Sequence, residues 1–250
     1  MNQSEPSLPD QTGFVDAEYA DVYPAGIERH YWIHARNRIV HRLLRQAMGD
    51  TKGPVLEIGC GPGLVTDYMR QRGIECRGCD ISIAKPCNQR ISDYLEFGVD
   101  ACELPADYRS SVNFLMMLDV LEHIERPAEF LSRCRGHFPN VRSILITVPA
   151  RMEVWSNYDV HFRHYKRYDH QSIHELYHPG EFLLRDQGYF FHALYPPARL
   201  INLTKSNRKT KLSAPGFAWP HKLVGFAFVI EQMVVPCWVP GTSLFCILDL

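Results

Sequence analysis

The sequence predicts an α/β protein with a Rossmann-like, doubly wound sheet, and three observations support this prediction. Apolar runs that suit strands alternate with amphipathic periods that suit helices over residues 26–150. The runs VNFLMMLD and VRSILITVP are apolar throughout, which is typical of parallel strands buried on both faces. The chain has 250 residues, 46% hydrophobic and 22% charged, enough for one domain with a substantial core. Such alternation places helices on both faces of a mostly parallel sheet.

The first part of the chain divides into helices and strands in turn. A helix over residues 26–48 would present one apolar face, formed by Trp32, Ala35, Ile39 and Leu43. The other predicted elements are a strand at 53–59, a helix at 64–73, a strand at 74–80, a mostly helical stretch at 82–98, a strand at 112–119, a helix at 126–138 and a strand at 141–149.

The pattern changes after Pro149. A long loop comes first, and residues 170–196 then predict a helix, an interruption near Pro179 and a strand. A polar basic segment at 204–216 leads into an apolar stretch at 217–250. At the other end, residues 1–25 are polar and contain proline but no apolar run of the signal-peptide type, so we expect a loose leader.

Charge and cysteine usage exclude several classes of protein. The formal net charge is −1, so nothing in the overall balance suggests nucleic-acid binding. Eight cysteines in a chain of this length, without a signal peptide, favour a reduced, cytoplasmic protein over a disulfide scaffold. Cys76 and Cys79 form one CxxC inside a strand-like run, which favours buried thiols over a zinc site.

A glycine-rich turn follows the first predicted strand. Gly59, Gly61 and Gly63 would let the backbone turn sharply and approach a ligand closely. A dinucleotide fingerprint requires Gly or Ala where this chain has Leu64, and Pro62 removes one N–H that would bind a pyrophosphate. The turn therefore favours a ligand without phosphates over NAD.

Asp80 ends the second predicted strand, about twenty residues after the first glycine. A carboxylate at that point can accept hydrogen bonds from both ribose hydroxyls of a nucleoside. The alternative is a helix N-cap, but Ser82 is the better capping residue, so we favour the ribose role.

Five motifs in order resemble those of the class I S-adenosylmethionine-dependent methyltransferases. They are VLEIGCGPG, CDIS, VDACELP, LDVLEHI and ILITVP. The resemblance is strong over residues 54–150 and implies a seven-stranded sheet whose last strand is antiparallel, with residues 243–250 as the candidate. It also implies a cofactor site that comprises Glu57, Gly59, Cys60, Gly61, Gly63, Asp80, Ile81, Asp100, Ala101, Leu118 and Asp119. In that assignment Glu57 and Gly59 lie near the methionine part, Asp80 binds the ribose, and Asp100 and Ala101 meet the adenine edge.

The resemblance implies one methyltransferase domain over residues 26–250. Residues 26–150 would bind the cofactor, and residues 151–250 would bind the acceptor and form a lid. The implied reaction is methyl transfer to a small molecule, which we expect to be methylated at oxygen. The alternative is a catalytically silent protein that binds S-adenosylmethionine and supports a partner.

The LDVLEHI motif raises the question of a metal. Asp119, Glu122 and His123 would share one side of a helical turn. This spacing is similar to that of metal-binding small-RNA 2′-O-methyltransferases and of a ubiquinone-pathway O-methyltransferase group. The same motif is common in methyltransferases without metal, where the histidine shapes the pocket. We therefore expect no metal, and His123 is a candidate catalytic residue.

The segment DVHFRHYKRYD, residues 159–169, follows the fifth predicted strand and should face the ligand cleft. It resembles the HYxRY loop of one methyltransferase subgroup. His164 or His161 would be the base that takes the hydroxyl proton. An anionic acceptor would meet the basic and aromatic side chains of Arg163, Tyr165, Lys166 and Arg167. In the alternative, Arg163 and Arg167 pair with Asp159, Asp169 or Glu122 to close the loop.

Two further regions are candidates for the acceptor site. Tyr31, Trp32 and Arg36, on the first helix, are expected to line the pocket, since a leading helix often covers the cofactor in this family. The apolar stretch near the C-terminus carries Glu231 and Pro236 and is too short for a transmembrane span. It would be a lid, a dimer face or an interfacial helix that meets a lipid-linked acceptor.

Overall fold

The computed structural model describes residues 22–204, 207, 208, 210 and 213–250. They form a seven-stranded sheet in the order β3-β2-β1-β4-β5-β7-β6. The strands are β1 (Val55–Ile58), β2 (Cys76–Asp80), β3 (Leu95–Phe97), β4 (Phe114–Leu118), β5 (Ser143–Pro149), β6 (Leu183–Phe190) and β7 (Ser243–Asp249). Strand β7 is antiparallel to both of its neighbours, while the pairs among β1 to β5 are parallel. The predicted fold, including the antiparallel last strand, is confirmed.

The order of the strands reverses between β1 and β4. Strand β1 pairs with β2 on one side and with β4 on the other. The strands β2 and β3 therefore extend the sheet in one direction from β1, and β4 and β5 extend it in the other. A crevice opens at such a point beyond the carboxyl ends of the strands, and ligands of open α/β sheets bind there.

Seven α-helices surround this sheet in the described residues. They are α1 (Tyr31–Met48), α2 (Leu64–Arg70), α3 (Ala106–Ser111), α4 (Pro127–His137), α5 (Asn157–His161), α6 (Tyr195–Leu203) and α7 (Ala218–Val234). None of the helices in this part of the chain is long and apolar enough to span a bilayer.

Strand β4 shows how the core divides into two layers. All five of its residues are buried. Phe114 and Met116 pack on the face that α1 covers, while Leu115 and Met117 pack on the face that α4 covers. Because successive strand residues point to opposite faces, a run without polar residues suits a strand covered on both sides. The predicted apolar face of α1 is buried against this sheet, and its Ile39 and Leu43 are each 1% exposed.

Two predicted helices are wrong. Residues 82–98 contain a 3-10 helix at Gln89–Tyr94 and then strand β3, because Pro86 supplies no N–H for a helix ladder. Residues 170–178 contain only a 3-10 helix at Ser172–Leu176. The Asp169 side chain accepts the Ser172 N–H at 2.8 Å at its start, and Pro179 follows its end.

The predicted buried thiols are confirmed. Cys76 and Cys79 lie in β2 and are 0% and 1% exposed. Burial raises the pKa of both thiols well above their ordinary value, so both stay protonated near neutral pH. They are packing residues of the sheet.

Candidate functional site

The glycine turn after β1 has the sharp geometry that its sequence predicts. Gly59 adopts a φ of 74° and Gly63 a φ of 78°, where other residues are strained. A Cβ on Gly59 would lie 2.5 Å from the Val120 side chain, so this position also needs glycine for close approach. The turn thereby brings its backbone against the loop that follows β4.

Asp80 connects this turn to the end of β2. Its carboxylate accepts the Gly61 N–H at 2.8 Å and the Ser82 N–H at 2.9 Å. Both hydrogen bonds come from backbone groups, so they set the orientation of the carboxylate. The side chain is 5% exposed, and it lines the cavity described next.

One cavity lies at the crevice, beyond the carboxyl ends of β1, β2 and β4. Eight of the eleven predicted cofactor residues line it: Gly59, Gly61, Asp80, Ile81, Asp100, Ala101, Leu118 and Asp119. Val99, Ile124 and Phe130 add an apolar wall next to Ala101, and His123 lies on the side of Asp119. A flat apolar pocket with acidic side chains on its rim suits the nucleoside of an uncharged or cationic ligand.

Asp119 has a left-handed backbone conformation, and its side chain is paired with a cation. Its φ is 59°, in a region that few residues other than glycine adopt, although aspartate does so more often than most. Arg36 donates to its Oδ2 from Nη2 at 2.7 Å and from Nε at 3.1 Å, and also donates to the Leu118 carbonyl at 3.1 Å. Arg36 thus pairs with Asp119 on the pocket wall, but Arg36 does not itself line the pocket.

Asp159 is the centre of the segment 159–169. Its side chain is fully buried, and its Oδ1 accepts from Arg167 Nε at 2.7 Å and contacts His164 Nδ1 at 2.9 Å. Its Oδ2 accepts the Ser156 N–H at 2.9 Å, which closes a capping box at the start of α5. The segment is therefore an ordered wall with an internal ion pair.

His164 and His123 meet behind the cavity. Their ring centroids lie 4.7 Å apart, edge to face. Because Asp159 binds Nδ1 of His164, the Nε2 atom of that ring is the one that can meet another group. Burial, with the neighbouring His164, lowers the pKa of His123 to about 3, so this ring is neutral at physiological pH.

Glu122 completes a cluster with these two histidines. One ligand atom from each of Glu122, His123 and His164 lies within 4.8 Å of the other two. Glu122 is 1% exposed, and neither of its carboxylate oxygens has a hydrogen-bond partner among the described residues. Burial and the nearby Asp119 raise the pKa of Glu122 well above its ordinary value. The carboxyl group therefore favours its protonated form.

A family model described as a methyltransferase domain matches residues 31–195, which cover the sheet from β1 to β6 and the cavity. This chain belongs to that methyltransferase family. The predicted family is thus confirmed.

Several curated relatives of this chain share one name. This chain is 25% identical over 123 residues to the ubiquinone biosynthesis O-methyltransferase of Histophilus somni, across 45% of this chain and 52% of that protein. It is 30% identical over 107 residues to the mitochondrial protein of that name from Schizosaccharomyces pombe, across 38% of this chain and 37% of that protein. The matches span about half of these relatives or less.

Solved methyltransferases share the fold at low identity. The geranyl diphosphate C-methyltransferase of Streptomyces coelicolor A3(2), in complex with Mg²⁺, geranyl diphosphate and S-adenosyl-L-homocysteine, has a TM-score of 0.52 and 12% identity, over 95% of this chain and 90% of that one. The phosphoethanolamine N-methyltransferase 2 of Haemonchus contortus, in complex with S-adenosyl-L-methionine, has a TM-score of 0.52 and 16% identity, over 90% and 56%.

Three predicted cofactor residues of the methyltransferase do not line the cavity. Cys60 is buried and packs with Ile91 and Leu95 on the other side of the turn. Gly63 is the N-cap of α2. Glu57 is 3% exposed and accepts a hydrogen bond from the Thr66 hydroxyl at 2.5 Å.

Glu57 should make the stability of the methyltransferase depend on pH. Burial raises its pKa from 4.5 to about 7, although Thr66 and Arg36 act in the opposite direction. The folded state therefore holds a proton that the unfolded state releases, and stability falls as pH rises from about 4.5 to about 7. Glutamine does not titrate, so Glu57→Gln should not lose this stability. Between pH 4.5 and pH 7 its free energy of unfolding should therefore rise by about 3 kcal/mol relative to that of the wild type. Urea unfolding of both proteins at pH 5 and pH 8 measures this difference, and an equal response of the two would contradict it.

Several predicted acceptor residues of the methyltransferase lie elsewhere. Arg167 is 5% exposed and donates to Asp159 and to the Ala150 carbonyl, which is the pairing of the loop-closing alternative. Its binding to an acceptor stays a prediction. Tyr31 stacks on Phe228 of α7, and Trp32 stacks on Phe191. The Tyr31 ring joins α1 to α7, and the Trp32 ring joins α1 to the residue after β6. Neither ring lines the cavity.

The exposed residues of the segment also lie off the cavity wall. His161 is exposed and packs its ring edge-on against Phe162, and its role as a base stays a prediction. Arg163 and Tyr165 are exposed as well. Their binding to an acceptor stays a prediction.

Tyr23 is one of the cavity residues that the sequence analysis missed. It lies within the predicted leader of residues 1–25, of which only 22–25 are described, and it lines the cavity with Asp80 and Asp119. Burial raises its pKa to about 12, so its hydroxyl stays protonated and can donate a hydrogen bond. No motif in residues 1–25 gave a signal of this role.

The cluster Glu122–His123–His164 also changes the metal question. Two imidazoles and one carboxylate form a ligand set that divalent metals bind. A second carboxylate often orients a ligating histidine through its other ring nitrogen, and Asp159 contacts Nδ1 of His164 in this way. Asp119, which shares the LDVLEHI motif with Glu122 and His123, is paired with Arg36. The expectation that no metal binds stays a prediction. The alternative is a metal ion held by Glu122, His123 and His164.

Proposed function

We propose that this chain is an S-adenosylmethionine-dependent methyltransferase that methylates a hydroxyl oxygen of a small molecule. The carboxylate of Asp80 carries the proposal, because backbone donors hold it at the end of β2, on the wall of the crevice. Family membership and the bound S-adenosyl compounds of the fold neighbours support it. The name of the curated relatives supports oxygen as the methylated atom.

The cavity residues fit the cofactor part by part. Asp80 would accept from the ribose hydroxyls, and Ile81 would contact the sugar face. Ala101, Val99 and Phe130 would enclose the adenine, with Asp100 held in place by Arg133 at 2.7 Å. Glu57 lies behind the turn, where a carboxylate would attract the cationic methionine end.

The bound cofactor supplies an activated methyl group, so the protein has to align the acceptor and remove a proton. His164 is the base in this proposal, because the contact of its Nδ1 with the Asp159 carboxylate fixes its tautomer and leaves Nε2 for the acceptor. His123, which is neutral and lies on the cavity wall, would orient the hydroxyl. The buried cluster excludes water from this corner.

Asp80→Asn tests the cofactor assignment. The amide keeps the shape but loses the charge and one acceptor, so we expect S-adenosylhomocysteine affinity to fall at least about tenfold, in line with the strength of charge-assisted hydrogen bonds. Calorimetric titration measures this loss, and Asp93→Asn, on the exposed surface nearby, is the matched control. Equal affinity of Asp80→Asn and the wild type would remove Asp80 from the site.

The same titration separates the proposal from an NAD-dependent function. Pro62 and Leu64 make the turn a poor pyrophosphate site, so we expect no heat from NADH. Tight NADH binding together with no S-adenosylhomocysteine binding would overturn the proposal. Binding of S-adenosylhomocysteine without turnover on any hydroxylated acceptor, including ubiquinone precursors, would favour the silent binding partner.

A further inference from the structure

A second cavity opens between α1 and α2, apart from the cavity beside Asp80. Its volume is about 740 Å³, within the range of small-molecule sites. Side chains of α1 and α2 form most of its lining, and residues 87–90 and Lys222 of α7 complete it. The described residues that line it do not line the cavity beside Asp80. This α1–α2 cleft can therefore hold a ligand of its own.

Both carboxylates that line the cleft are paired with cations. Asp67 accepts from Arg90 Nη2 at 2.7 Å and from Arg90 Nε at 2.9 Å, as in a bidentate ion pair. The exposed Glu28 lies 3.9 Å from Nε of Arg29. Neither carboxylate is left to neutralise the other cations of the cleft.

Three further cations line the cleft, namely Arg38, Arg72 and Lys222. None of the three forms an ion pair within the described part of the chain. Burial lowers the pKa of His34, and Arg38 and Lys222 lower it further. Burial raises the pKa of Tyr68, while Arg72 and Arg38 act in the opposite direction. The three cations thus surround one space, which favours an anion there.

Arg72 is already oriented for such a role. Its Nη1 donates to the Tyr68 carbonyl at 3.1 Å, and its guanidinium carbon lies 3.3 Å from the centroid of the Tyr68 ring. Stacking of this kind holds the guanidinium plane, while the N–H groups at its edge can still donate to an oxyanion.

Two amide side chains of the cleft have unpaired oxygens. Asn37 is 5% exposed, and its Oδ1 has no hydrogen-bond partner among the described residues. Oδ1 of Asn88 is also buried and unpaired among them, although its Nδ2 donates to Asp67 at 3.0 Å. Buried polar atoms are ordinarily hydrogen-bonded, whereas a solvated basic groove needs no buried acceptors. The two oxygens therefore indicate donors that a ligand supplies.

We propose that the α1–α2 cleft binds a small molecule that carries both a phosphate group and hydroxyl groups, as a sugar phosphate does. The phosphate would meet Arg38, Arg72 and Lys222, and the hydroxyl groups would donate to the two amide oxygens. A phosphate monoester carries about −1.5 to −2 charges at neutral pH, so it matches three cations better than a carboxylate does. Ile33 and Leu64 supply apolar surface for the carbon skeleton. This binding does not depend on the proposed function.

Calorimetric titration of the full chain tests the site. With glucose 6-phosphate as the probe, we expect a Kd of about 1 mM or tighter. Glucose lacks the anion and should bind at least about tenfold more weakly. Inorganic phosphate lacks the hydroxyl donors and should bind at least about threefold more weakly than the sugar phosphate.

Three variants locate the binding. The double variant Arg38→Gln/Lys222→Gln should lose at least about tenfold in affinity for the sugar phosphate. Lys52→Gln removes an exposed cation that does not line the cleft, so it should bind as the wild type does. Asn37→Leu removes the acceptor at similar volume, so it should weaken the sugar phosphate at least about threefold and leave inorganic phosphate unchanged.

Several outcomes would overturn the proposal. Sugar phosphate that binds no tighter than glucose would remove the anion site, and equal affinity for inorganic phosphate would remove the hydroxyl contacts. Full retention of affinity in the double variant would place the ligand outside the cleft. Loss of affinity in Asp80→Asn would place it in the other cavity. Since this titration uses neither cofactor nor acceptor, its failure leaves the proposed function standing, and failure of S-adenosylhomocysteine to bind leaves this site standing.

Discussion

Replacing His164 by alanine is expected to lower kcat about 10²- to 10⁴-fold, the usual contribution of a general base. The variant should keep S-adenosylhomocysteine affinity within about twofold, because His164 does not line the cavity. Asp159 stays paired with Arg167 when the imidazole is removed, so the segment should remain folded. Transfer of a radiolabelled methyl group to a hydroxylated acceptor, with calorimetry of the cofactor product, measures both quantities.

His161→Ala is the matched control for this experiment. It removes the same side chain three residues earlier in the same segment, but from an exposed position. We expect its kcat to equal that of the wild type. A large loss in His161→Ala with none in His164→Ala would exchange the two roles and contradict the proposed geometry.

Treatment with a chelator distinguishes a base from a metal ligand at the same cluster. If His164 acts as a base, EDTA leaves the wild-type rate unchanged, and the loss in His164→Ala shrinks at alkaline pH as the acceptor ionises. Loss of activity with EDTA, restored by Mg²⁺ or Mn²⁺, would instead assign Glu122, His123 and His164 to a metal. The second result leaves the cofactor assignment intact, since Asp80 lies outside this cluster.

The half of the chain that carries β1 to β5 and the cavity could be predicted because its signals are local in sequence. A strand, a glycine turn and an acidic residue after the next strand specify positions that the parallel sheet brings together, as Gly61 and Asp80 show. The apolar run of β4 likewise specified burial on both faces. The prediction failed at residues 82–98, where the helical periodicity competed with Pro86 and with the pairing of β3 to β2. The local sequence pattern carries no information about that pairing.

The part of the chain after β5 could not be predicted residue by residue, because the contacts of its side chains depend on tertiary pairs. Arg167 and Arg163 look alike in the sequence, yet one is buried on Asp159 and the other is exposed. Arg36 reaches Asp119 across 83 positions of sequence. No periodicity encodes such pairs, so a basic cluster in a loop reads equally well as a ligand site or as an internal clamp.

The pair Asp159–Arg167 should therefore dominate the stability of the segment. Arg167→Ala leaves a fully buried carboxylate without its cation, and we expect a loss of about 3–5 kcal/mol in the free energy of unfolding, measured by urea denaturation. Burial alone would raise the pKa of Asp159, but His164 and Arg167 hold it below its ordinary value, so the wild-type carboxylate is charged at neutral pH.

Two further variants show whether the charge pair or the lost packing causes this loss. Lys166→Gln removes the neighbouring cation, whose partner Glu175 is exposed, and should cost less than about 1 kcal/mol, as exposed ion pairs do. Asp159→Asn in the Arg167→Ala background removes the stranded charge, so the double variant should recover part of the loss. If Asp159→Asn and Arg167→Ala add their separate costs in full, the two side chains do not stabilise one another, and the segment is held by packing alone.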